Sequence, residues 1–137
     1  MTIQESTAGF CTIDGAIATA NSGYTGTGYA NLSNSAGAGV DWSVNSATAA
    51  NRTVTFRYSN GGSGATTSGK ILVNGVVVQN SSSLFSKTAS KTSWTNKSFV
   101  LSLKAGVNRI RLEAGASAEF ADVDYITVAN ATAAACQ

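Results

Sequence analysis

The chain has 137 residues, 43% apolar and only 12% charged, with nine Lys and Arg against seven Asp and Glu for a net charge of +2. That length fits one domain, residues 1–137, and leaves no room for a catalytic domain beside an accessory one; a charged share about half of the usual ~25% implies a neutral, hydroxyl-rich surface. A dispersed charge of this size argues against nucleic acid as partner, and the absence of histidine removes imidazole ligands and every His-based triad or general base.

Met1 is followed at once by polar residues, unlike a signal peptide, so a leader is expected to have been removed from a longer secreted chain. No apolar run approaches the roughly 20 residues of a membrane span, and no membrane association is expected. Cys11 and Cys136 sit near opposite ends. Their spacing suits no zinc site; it suits one bridge tying the terminal segments together in an oxidising, extracellular setting, the alternative being two buried free thiols.

Helical periodicity is missing, and period-two alternation recurs between clusters of Gly, Ser, Asn and Thr. Val40, Trp42 and Val44 share one face; Val54, Phe56 and Tyr58 share another, with Thr53, Thr55 and Arg57 opposite. Lys70 to Val78 reads as a hairpin because Asn74-Gly75 suits a type I′ turn between β-branched arms. Further strands are expected at Phe99–Leu103, Asn108–Glu113 and Val123–Val128, with a turn at Ala105–Val107. Ser59–Gly69 and Ser81–Asn96 read as long polar loops, the second interrupted by Leu84 and Phe85, and residues 129–137 as a weakly structured tail. Short strands at this spacing predict an all-β sandwich.

Gly64 to Lys70 approaches a phosphate-binding loop, but Ile71 replaces the magnesium-binding hydroxyl and a strand follows, so nucleotide binding is not expected. Asp122 and Asp124 lie two apart on one strand, whereas a glycosidase pair comes from elements flanking the scissile bond. Sequons at Asn31, Asn51, Asn80, Asn96 and Asn130 follow from a composition rich in Asn, Ser and Thr. Asp124 falls in the row of Ile126 and Val128, and Glu5 in that of Ile3. With no Arg or Lys obviously placed to meet both carboxylates, a hard cation such as calcium between the terminal strands is one reading, the alternative being that both side chains sit at strand ends in water. Trp42, Phe56, Phe99 and Tyr125 read as core. Trp94, set in Lys91-Thr92-Ser93-Trp94-Thr95-Asn96, has no apolar neighbours at period two and reads either as standing exposed, where an indole suits the C–H face of a sugar, or as folded back over the sandwich end.

The ordered set Gly23-Tyr24-Thr25-Gly26-Thr27-Gly28-Tyr29-Ala30-Asn31, Val40-Asp41-Trp42, Val54-Thr55-Phe56-Arg57-Tyr58-Ser59-Asn60-Gly61, Leu72-Val73-Asn74-Gly75, Ser93-Trp94-Thr95, Ala105 to Leu112 and Asp122-Val123-Asp124-Tyr125-Ile126 resembles carbohydrate-binding module family 35, in the clan shared with family 6. The resemblance runs from Glu5 to Val128. It implies a jelly-roll β-sandwich of two antiparallel sheets, a non-catalytic role, a structural Ca2+ held by Glu5 and Asp124 with carbonyls near Ser22–Thr27, and a sugar site in the loops at one end. Trp94 and Asp122 match the family's sugar contacts; Asn60, Tyr58 and Tyr24 are weaker carry-overs. Similar modules that grip uronic acids carry an Arg after the Asn-Gly, and Ser59–Gly69 contains none, while Asp122 would repel an anionic sugar unless a second calcium lay between them. The chain therefore looks most like the modules attached to bacterial mannanases. The expectation is a secreted monomer that binds β-mannan or a related plant cell-wall polysaccharide and targets a tethered glycoside hydrolase to it. The alternatives are a binder of uronic-acid sugars through a second calcium, and a structural or adhesive cell-surface sandwich with a protein partner.

Overall fold

The computed structural model describes residues 1–136, which form two six-stranded antiparallel sheets packed face to face. The first sheet runs β3 (Gly15–Ala18), β4 (Tyr29–Leu32), β11 (Asp122–Val128), β6 (Ala50–Ser59), β9 (Thr95–Leu103), with β1 (Thr2–Gln4) also on β11. The second runs β12 (Thr132–Ala133), β5 (Gly39–Ser46), β10 (Gly106–Ala114), β7 (Gly69–Val73), β8 (Val76–Ser81), with β2 (Phe10–Ile13) also on β5.

The alternation that marks these strands is what builds the core. Val40, Trp42 and Val44 from one sheet and Val54, Phe56 and Tyr58 from the other are all buried, and the Trp42 and Phe56 rings meet across the interior at 5.8 Å. Each such side chain contributes about 1.5–3 kcal/mol of burial. The β7–β8 hairpin closes on Asn74 and Gly75 at φ 52° and 82°, as its turn type requires. Asn74 also exchanges side-chain bonds with Asn108 and the Arg109 amide, which ties the turn to β10.

Two expectations change. Tyr125 is not core: a bulge between Val123 and Tyr125 on β11 shifts the register, and Tyr125 stands half-buried opposite Arg57 and Gln4 on the outer face. The C-terminal tail is not weakly structured. Thr132 and Ala133 pair with β5, the Ala134 amide donates to the Ser43 carbonyl at 3.0 Å, and the Ser43 hydroxyl donates to the Ala135 carbonyl at 3.1 Å. The tail thus covers β5, which explains why Ser43 is fully buried. Residue 137 of that tail lies outside the described residues.

Cys11 and Cys136 form a disulfide with Cα atoms 5.6 Å apart, closing a sequence separation of 125 residues. Removing it by a Cys11→Ser/Cys136→Ser double substitution is expected to cost roughly 2–5 kcal/mol of unfolding free energy in urea; an unchanged midpoint and slope would contradict its role as the staple of the tail.

Candidate functional site

Four connecting segments, 19–28, 60–68, 82–94 and 115–121, gather at one end of the sandwich. The first is held from below by two carboxylates. The Thr25 amide lies 3.0 Å from each Asp124 carboxylate oxygen, and the Thr25 hydroxyl donates to Oδ2 at 2.9 Å. Glu5 Oε1 accepts from the Thr27 amide at 2.6 Å and the Thr27 hydroxyl at 2.9 Å. The β11 bulge takes Asp124 out of the row of Ile126 and Val128, and its counter-charge is Arg57, 2.7 Å away, with the Asp124 side chain fully buried. Pairing of β6 with β11 brings Arg57 to the side of Asp124 alone and not to Glu5.

Glu5 is different. It is buried, and its Oε2 has no hydrogen-bond partner, nor has the buried Oε1 of Gln4 beside it. Gln4 Oε1 and Glu5 Oε1 both lie 2.9 Å from the point where a Cβ on Gly26 would stand. Among the described residues no three His, Cys, Asp or Glu side chains cluster as metal ligands, so any ion here draws on amide and carbonyl oxygens as well. The unpartnered Gln4 Oε1 and Glu5 Oε2, buried amide and carboxylate oxygens of adjacent residues beside Gly26, fit a hard, oxygen-ligated cation. Gln4 was missed in the sequence because an amide carries no charge to flag it.

Trp94 immediately precedes β9 and is half-buried, which corrects the reading of a free-standing indole. Its Nε1 donates to the Ser22 carbonyl at 2.9 Å, the Tyr29 ring meets it edge-on at 5.4 Å, and the Arg57 guanidinium carbon lies 5.5 Å from its ring centre. Gly23 is required beneath it, since a Cβ there would come within 2.7 Å of the indole. Half-buried Tyr24 packs on Tyr29 at 5.6 Å, and the Tyr29 hydroxyl accepts from the Asn21 amide at 3.1 Å. The structure therefore brings Trp94, Tyr24 and Asp122 together around Tyr29 and Asn21, neither of which sequence reasoning selected.

Asp122 is buried and accepts from Asn21 Nδ2 at 3.2 Å. Burial pushes its carboxyl up to about 6; the Asn21 bond lowers it, nearby Glu119 raises it and Lys91 lowers it. Lys91 and Glu119 form their own ion pair at 3.2 Å.

Tyr58 and Asn60 do not join the surface, a second correction. The Tyr58 ring stacks in the core 4.5 Å from Phe85, with its hydroxyl donating to the Ser86 carbonyl at 3.0 Å. Asn60 is buried, and its Nδ2 donates to the carbonyls of Thr66 and Phe85 at 3.2 and 2.9 Å. Both residues knit loops to one another rather than facing outward. The Ser59 hydroxyl reaches the Ser90 and Lys91 carbonyls, Lys87 Nζ donates to the Gly62 carbonyl, and Gly61 is forced by a Ser90 backbone so close that a Cβ would sit 2.0 Å from its carbonyl carbon. Leu84 and Phe85, which interrupt the polar run, are the buried plugs of this loop.

The sequence profile of the carbohydrate binding module (family 6) matches residues 10–130. The chain belongs to that family. Among solved structures, a family 35 carbohydrate-binding module from an environmental isolate superposes with a TM-score of 0.92 at 33% identity, over 100% of this chain and 99% of that one. A family 35 module solved in complex with a glucuronic-acid-containing disaccharide superposes at 0.88 with 30% identity, over 100% and 99%. These place the module in the family 35 branch of the clan, and its sandwich is the jelly roll of those structures. Endo-1,4-beta-xylanase B of Cellvibrio japonicus (strain Ueda107) is 34% identical over 95% of this chain, which spans only 22% of that relative. The module is a non-catalytic carbohydrate binder, and the adhesive sandwich with a protein partner is set aside.

A carboxyl that titrates near 6 when folded and near 4 when unfolded contributes stability that is full below about pH 4 and lost as pH rises through 6. Asp122→Asn is thus expected to match wild type near pH 4 and to be about 1–3 kcal/mol more stable near pH 8 in urea unfolding with chelator present. Equal effects at both pH values would contradict the burial of an ionisable Asp122.

Proposed function

We propose that this module binds plant cell-wall polysaccharide at its loop end, with Trp94 as the stacking surface, and keeps an attached glycoside hydrolase near its substrate. The observation that carries this reading is the pair of half-buried rings Trp94 and Tyr24, both packed on the buried Tyr29 ring, beside Asn21 and the buried Asp122 to which it is bonded. Tethering raises local concentration on an insoluble polymer without touching the chemistry. The disulfide supports a secreted setting.

For the ligand we favour a hemicellulose bearing glucuronic acid. The absence of Arg in the 59–69 loop argued for a neutral sugar, but the neighbouring loop brings Lys87 against Gly62 at this same end. Burial raises the Asp122 carboxyl to about 6, and in its protonated form at acid pH it does not repel an anion. The glucuronic-acid complex of the 30% identical module supports the same class. β-Mannan is the second reading, favoured by the engagement of Lys91 with Glu119, which leaves the end nearly neutral.

Gln4 and Glu5 would hold a structural Ca2+ with carbonyls of the 22–27 segment, supplying a counter-charge that stiffens the segment; Asp124, expected as a further ligand, is bound to Arg57 and Thr25. Chelation is expected to lower the melting temperature reversibly, with Glu5→Gln abolishing the calcium response; a melting curve indifferent to calcium would remove the ion.

Affinity gels and calorimetry with glucuronoxylan and galactomannan, each with and without calcium, test the ligand. Trp94→Ala is expected to weaken binding at least tenfold, about 1.4 kcal/mol. Retention on galactomannan alone would select the second reading, and unchanged binding by Trp94→Ala would overturn the site.

A further inference from the structure

We propose that Arg57 is the positioning residue of the sugar site: its guanidinium locks the Trp94 indole and the Gly23–Thr25 backbone into one preformed unit, so ligand affinity depends on a side chain that acts through Trp94. This rests on the reading that Trp94 takes the sugar.

Arg57 projects from the outer face of β6, between Tyr125 of β11 and Asn96 of β9, two residues beyond Trp94. From there Nη1 donates to the Gly23 carbonyl at 2.9 Å and to Asp124 Oδ2 at 2.7 Å, while the guanidinium carbon lies 5.5 Å from the Trp94 ring centre. Asp124 in turn receives the Thr25 amide. Segment 22–25 is thereby gripped at Gly23 by Arg57 and at Thr25 by the carboxylate that Arg57 neutralises. The indole is fixed to that segment through Nε1 on the Ser22 carbonyl and by contact with Gly23. Arg57 therefore closes a ring of contacts around Trp94: one ring face, the carbonyl beneath its edge, and the buried anion behind the loop. With Arg57 over one face and the Tyr29 ring packed at 5.4 Å, the indole is held in one orientation, and its exposed remainder is what a pyranose would meet. A planar guanidinium can stack and donate at the same time; an ammonium keeps the charge but not the plane. A ring held in one orientation before binding spares the ligand the cost of ordering it.

The test compares Arg57→Gln, Arg57→Lys and Trp94→Ala in the full 137-residue chain. Trp42 is fully buried, so acrylamide quenching of tryptophan fluorescence reports Trp94. Arg57→Gln is expected to raise quenching at least twofold and weaken glucuronoxylan or galactomannan binding at least tenfold, with Arg57→Lys intermediate in both. Because Arg57→Gln strands a buried carboxylate, the double variant Arg57→Gln/Asp124→Asn is made alongside; it is expected to recover melting temperature while keeping the loose indole and weak binding. Wild-type quenching in folded Arg57 variants, or a binding loss that recovers together with melting temperature in the double variant, would overturn the proposal. If Trp94→Ala binds normally while Arg57→Gln still loosens the indole, the sugar-site reading fails and the positioning contact stands.

Discussion

Two buried carboxylates that grip the backbone of one irregular segment are the constraint on which the loop end depends. Asp124 takes the Thr25 amide and hydroxyl, and Glu5 takes those of Thr27. Charge-assisted bonds of this kind are about twice as strong as neutral ones, and a carboxylate withdrawn from water requires them. They fix the path of residues 22–27, that path sets Ser22 and Gly23 under the Trp94 indole, and the buried Tyr29 ring backs the indole.

The sandwich supplies the rigid ground for this arrangement. Glu5 follows β1 and Asp124 lies on β11, and these strands are paired, so both anchors belong to one end of the chain's first sheet. At the opposite sheet the disulfide and the tail clasp β5, and ion pairs of Arg109 with Asp41 and of Arg111 with Asp14 and Glu113 run along its outer face. The loop end carries its own ion pairs, Arg57 with Asp124 and Lys91 with Glu119, among hydroxyls, amides and aromatic rings, the groups a glycan with polar edges and C–H faces requires.

The central strands were legible in the sequence because both sheets bury one face and so enforce period two, as at Val40 to Val44 and Val54 to Tyr58. The Asn74-Gly75 turn was legible because its chemistry is local. The short strands β1, β2, β3, β4 and β12 were not: with two to four residues each, they lack the length for alternation and exist only by pairing with longer neighbours. The bulge at Asp124 changed parity, which moved Tyr125 outward and joined Asp124 to Arg57, an outcome that depends on which strands are neighbours. Polarity around Trp94 suggested an open ring; its partial burial comes from Gly23 and Tyr29, far away in sequence. Tyr58 and Asn60 sit beside the site in the chain but turn inward, because the 82–91 loop folds back over them onto Phe85. The family resemblance pointed to one end of the molecule but grouped the half-buried Trp94 and Tyr24 with Tyr58 and Asn60, which the structure turns inward to hold the loops.

The most direct measurement is an amide chemical-shift titration of the isotope-labelled module with glucuronic-acid-bearing xylo-oligosaccharides and with manno-oligosaccharides. Shifts confined to residues 21–29, 90–95 and 119–122, together with the Trp94 indole N–H, are the predicted result. Saturable shifts centred instead on the outer face of either sheet, with the Trp94 indole unmoved, would contradict a sugar site built on the carboxylate-anchored loop.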